Sequence, residues 1–159
     1  MSVYDNNQVH FSGLSMVTAT LGINDPEVGA VRRDGDEEYI FVYNAGNSQI
    51  NPGYGAIVSA VTGYSVTLSS VSGNGDFPIG ICRHATLTTG TYGWLMKKGF
   101  TNFKATADSA AVAGNQLVMG DDGVWGTKTI STGYIGNTFG KVMIATASAG
   151  TGVGYFAIY

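Results

Sequence analysis

Cys82 and His84 stand two residues apart in Pro78-Ile79-Gly80-Ile81-Cys82-Arg83-His84, the nearest thing in this chain to a chemically competent pair. In an extended strand such residues point the same way, about 7 Å apart, as a Cys-His dyad or half a metal site requires. A zinc site needs three or four ligands, and the chain has one cysteine and two histidines, so nothing completes it. The other histidine, His10, has no motif around it. Cys82 lies in an apolar run and is expected to pack as a small hydrophobe, and being single it excludes an intrachain disulfide.

Oxygen ligands and phosphate loops are the other chemistry to consider. Asp25, Glu27, Asp34, Asp36, Glu37 and Glu38 cluster, and oxygen-rich loops hold hard cations, but the spacing of a calcium loop is absent. The expectation is a solvated acidic hairpin facing basic residues of a partner, with a cation site as the alternative. A glycosidase pair needs only spatial proximity of two carboxylates, and nothing nominates one. Gly136-Asn137-Thr138-Phe139-Gly140-Lys141 has one residue too few between its glycines for a P-loop, and Val142 stands where a Mg²⁺-binding hydroxyl belongs. Gly150-Thr151-Gly152-Val153-Gly154 opens onto a strand, whereas a dinucleotide loop opens a helix, so it reads as a turn. No catalytic, cofactor-binding or metal-binding residues are expected, and the chain reads as a non-enzyme.

The elements that would carry these residues are strands. Tyr64-Ser65-Val66-Thr67-Leu68-Ser69-Ser70 alternates with period two, placing Tyr64, Val66 and Leu68 on one face. Tyr39-Ile40-Phe41-Val42-Tyr43 is apolar on both faces, as in a central or interfacial strand. Lys141–Thr146 and Gly154–Tyr159 complete the strong strands. Asp34-Gly35 is expected to close a hairpin between Ala30–Arg33 and Glu38–Tyr43. Gly120-Asp121-Asp122-Gly123 and Gly73-Asn74-Gly75-Asp76 should close two more. Ala105–Ala113 is the one stretch that admits a short helix. The expected fold is all-β, a barrel, β-tulip or sandwich with short strands, glycine-rich turns and at most one short helix.

Composition agrees. With 159 residues, 44% hydrophobic and 12% charged, with 24 Gly and 3 Pro, the chain is neither disordered nor collagen-like and is long enough to bury a core. A net charge of −3 argues against tracking phosphates, so no nucleic-acid partner is expected. No apolar run approaches a membrane span and the N-terminus is not ordered like a signal peptide, so no membrane partner is expected either. Residues 1–10 read as a polar N-terminal arm and 11–159 as a single β domain.

Two stretches carry a family likeness. The segment Ala45 to Val58 sets a polar turn and a Gly before an apolar strand, and Pro78 to Ala85 leads through Gly90-Thr91-Tyr92-Gly93-Trp94 and Gly99 to Ala110–Val118. This order resembles small structural proteins of tailed bacteriophages, especially head decoration or cement proteins. The resemblance implies a β-barrel or β-tulip-like protein made in the host cytoplasm and carried in the virion. It would bind the major capsid protein on the outside of the shell as a homo-oligomer, commonly a trimer, with no catalytic residues. The 9 Tyr and 2 Trp in a charge-poor background suit such an assembly surface. The alternatives are a tail- or fibre-associated virion component, or a carbohydrate-binding β module.

Overall fold

The structure, a computed structural model, describes residues 12–23, 25–59, 64–68, 78–107, 110–128 and 139–158. His10, the expected arm 1–10 and the Gly73–Asp76 turn lie outside them. The strands are β1 (Val17–Thr18), β2 (Val31–Asp34), β3 (Glu37–Asn44), β4 (Gly55–Val58), β5 (Ser65–Thr67) and β6 (Pro78–Ile81). They continue with β7 (Tyr92–Lys104), β8 (Gln116–Met119), β9 (Trp125–Lys128), β10 (Gly140–Ile144) and β11 (Thr151–Ala157). Single 3-10 turns at Ser12–Ser15 and Asp121–Gly123 are the only helical elements among the described residues.

Following the pairings β3–β5–β4–β6–β7 and back to β3 closes a five-stranded barrel, with β3 and β5 parallel and the other pairs antiparallel. The two-faced apolar pattern of β3 follows from this. Ile40 and Val42 join Ala56, Val66, Cys82 and Leu95 in the barrel interior, all nearly inaccessible. Tyr39 and Phe41 point outward and are fully buried by a second core. β3 is thus central, and no partner chain is needed to explain it.

The second core exists because β7 runs on past the barrel. Its thirteen residues span roughly 43 Å at strand rise, and its far half pairs with β11, which continues the sheet through β10, β8 and β9. Phe103, Leu117, Trp125, Val142 and Phe156 from this extension pack with Tyr39, Phe41, Trp94 and Met96 on the outer barrel wall. Trp125 meets Phe156 edge-on with ring centroids 4.8 Å apart. Full burial of side chains this size stabilises by ~1.5–3 kcal/mol each. Trp94, within β7, is 7% exposed.

Three local expectations are corrected. Ala105–Ala113 is not helical in its described part, because Ala105 bridges Trp125 and Ala111 bridges Thr146, so both ends are spent on sheet contacts. The turn read before Gly154 is instead the start of β11, which runs from Thr151 through Gly152 into the strand expected from Gly154; a Cβ would fall 2.6 Å from Phe103 at Gly152 and 2.6 Å from Leu117 at Gly154. Tyr64 is 44% exposed ahead of β5, while Val66 is buried in the barrel as its alternation required. The Asp34-Gly35 hairpin forms as expected, with Asp34 paired to Glu37 and Gly35 at φ 60°, the placement a II′ turn calls for.

Candidate interaction surface

Period-two alternation on β3 puts Glu37 and Tyr39 on one face, while the chain leaving β6 carries Arg83 and His84 to meet them. The exit is fixed by backbone bonds, Cys82 N–H to Tyr54 O at 2.8 Å and Gly53 N–H to Cys82 O at 2.8 Å. Cys82 therefore turns into the barrel, where its Sγ donates to Ala85 O at 3.0 Å and burial pushes its thiol pKa up to about 12. His84 lies outside with Tyr39, so Cys82 and His84 do not form a pair.

Tyr39 is the hub of the cluster. Its hydroxyl donates to Glu37 Oε2 at 2.6 Å and accepts from Arg83 Nη1 at 2.7 Å, and Arg83 Nη1 also ion-pairs with Glu37 Oε1. His84 Nε2 lies 3.2 Å from the same hydroxyl. The single phenolic proton is committed to Glu37, so His84 must donate through Nε2–H to the remaining lone pair. Burial alone would raise the Glu37 carboxyl, but hydrogen bonds from Arg83 and Tyr39 and the charges of Arg83 and His84 outweigh it and hold it below its usual value. Burial, then the Glu37 hydrogen bond, lifts Tyr39 well above the ordinary phenol range. Burial and the Arg83 charge lower His84, with Glu37 and Asp34 opposing. These bonds fasten the β2–β3 hairpin to the segment after β6.

Glu38 of the acidic run is also answered within the chain. Glu38 pairs with Arg33 at 3.1 Å and Lys97 at 3.5 Å, so the two glutamates expected to face a partner's basic residues face this chain's own. Among the described residues no three His, Cys, Asp or Glu come together in a way that could hold a metal ion. No helix among them is long and apolar enough to cross a membrane.

Beside the cluster opens a groove of about 540 Å³. Pro52, Gly53, Arg83 and His84 form one wall, and Phe100, Asn102, Thr151 and Val153 form the floor. That floor belongs to the outer face of β7 and β11. Antiparallel register sets Phe100 opposite Tyr155 and Tyr155 opposite Lys141, so the three make one row across β7, β11 and β10. Asn102 lies opposite Val153 and Val153 opposite Ile144 in the next row. Phe100 is 53% exposed although its ring tilts against Tyr155 at 4.9 Å between centroids. The residues singled out for chemistry did not identify this surface; the period-two outward positions of 98–104 and 151–157 were the available signal.

No family model matches the sequence, and no curated protein matches it. Among solved structures, the chain is similar to the head fiber gp8.5 N base in bacteriophage phi29, with a TM-score of 0.54 and 11% sequence identity. The match covers 75% of this chain and 94% of that one. At this identity the likeness is one of fold.

Proposed function

We propose that this chain is a structural component of a bacteriophage virion that seats on the outer surface of the capsid shell and stabilises it. The observation that carries this reading is the fold held in common with a head-fibre base over nearly the whole of that structure. The order of Gly80, Gly93, Trp94, Gly99 and Gly114 resembles head decoration proteins and supports the same reading from the sequence. The partner is the major capsid protein, and catalysis has no part in the reading. A fibre-associated role is the second reading, favoured by the solved neighbour being the base of a fibre.

Purified chain mixed with undecorated expanded capsids tests it. Saturable added mass on the shell and a higher temperature of genome release are expected. A ligand bound only by the intact shell stabilises it by RT ln(1 + [L]/Kd), ~2.7 kcal/mol per site at a hundredfold excess over Kd. No added mass and an unchanged release temperature at saturation would discard shell binding.

A further inference from the structure

Two patches of the described surface set exposed apolar side chains beside unpaired charge, and their charges are opposite. The first is the outer face of the β7–β11–β10 sheet, where Phe100 is 53% and Ile144 61% exposed. Strands β7 to β11 contain five lysines and no carboxylate, and Lys98 and Lys141 make no ion pair among the described residues. The second patch is formed by residues 21–23 and 25–36. Its Leu21, Ile23 and Val31 are exposed, Ile23 completely. Residues 25–38 carry six carboxylates against two arginines. Glu37 and Glu38 are already paired, while Glu27 and Asp36 are exposed and make no ion pair among the described residues.

Apolar area rimmed by charge in this way marks a contact surface. Laid against its own copy face to face, the sheet surface would oppose lysine with lysine, and like charges across an interface are costly. The complementary surface is on the same chain: acidic where the sheet is basic, and carrying exposed apolar side chains like the sheet. We infer that the two patches are the halves of one head-to-tail contact between copies of this chain. The lysine-rimmed face around Phe100 and Tyr155 receives the acidic residues 25–36 and the exposed Leu21 and Ile23 of the next copy. Burial of the exposed apolar side chains supplies affinity, and the lysine–carboxylate pairs fix register and speed encounter. A heterologous contact closes into a ring where its rotation permits and otherwise propagates. The inference does not depend on what the assembled copies bind.

Light scattering on the purified chain, over a concentration series at low and high salt, tests it. The expected mass is a multiple of 16.6 kDa that falls as salt screens the charges. K98E/K141E should be monomeric, and so should E27K/D36K. The chain carrying all four reversals should recover the wild-type mass, because its patches are again opposite in sign. Phe100→Ser should weaken assembly at both salt concentrations. Glu27, Asp36, Phe100 and Lys141 are exposed and Lys98 is half-buried, so each variant should keep the wild-type far-ultraviolet spectrum, and K98Q/K141Q stands in if the reversed pair does not. A wild-type chain that stays at 16.6 kDa to its solubility limit overturns the inference. So does a fourfold variant that assembles no better than either pair, which would show that the two patches do not meet.

Discussion

Trp94 packs between the barrel wall and the second core, its ring centroid 5.1 Å from that of Phe41. Trp94→Ala should cost ~3–5 kcal/mol in a urea titration, as for other buried aromatics, and a loss under ~1 kcal/mol would make it peripheral. Glu37 makes a different kind of contribution, set by pH. Its folded-state pKa lies below the usual 4.5, so its stabilisation is present above that value and fades as pH falls through the folded pKa. Glu37→Gln should therefore lower the melting temperature at pH 7, and the gap from wild type should close below about pH 4.5. A gap that persists in acid would mean that shape, not charge, is what Glu37 supplies. His84 acts in the same direction one step earlier. Its pKa is depressed below 6.5, so the unfolded chain binds the proton more readily and stability starts to fall below that pH.

At the scale of elements, β7 changes partners at Gly99. Lys98 pairs with both Glu38 of β3 and Ala157 of β11, and the switch needs Gly99 at φ 135°. A Cβ there would lie 3.1 Å from Glu37 Cγ and 3.2 Å from Met96 Cε, in a backbone region that side chains rarely adopt. Gly99→Ala should cost ~1–3 kcal/mol by thermal melting, and a neutral result would mean that the junction tolerates ordinary strand geometry. The sequence made β3, β10 and the Asp34-Gly35 hairpin readable, because alternation and turn chemistry are local. Closure of β3 on β7 was not readable, since pairing between distant strands leaves no local mark. The same holds for the site. Glu37 and Tyr39 share a face by simple alternation, but nothing near them in the sequence says that Arg83 and His84 arrive there. Gly152 misled for a related reason: a glycine that makes room for Phe103 looks like one that makes a turn.

For the whole molecule, the shared strand ties both cores into one structure. Tyr39 and Phe41 back onto the second core while Ile40 and Val42 fill the first, so neither can melt and leave the other its walls. The same closure governs the order in which the chain can acquire structure during synthesis. Tyr43 pairs with Tyr92 and Tyr39 with Met96, so β3 is made long before its antiparallel partner in the barrel exists. Until β7 leaves the ribosome, the nascent chain carries an apolar strand with an open edge, the kind of edge that recruits neighbours. Ribosome-stalled chains cut short before Tyr92 should be protease-sensitive, and resistance should first appear once β7 and its far-side partners have emerged. Resistance in the shorter chains would show that β2 to β6 hold together alone. A chain of this topology is born as an aggregation risk and becomes safe in one late step, which favours a cell that supplies chaperones until β7 has emerged.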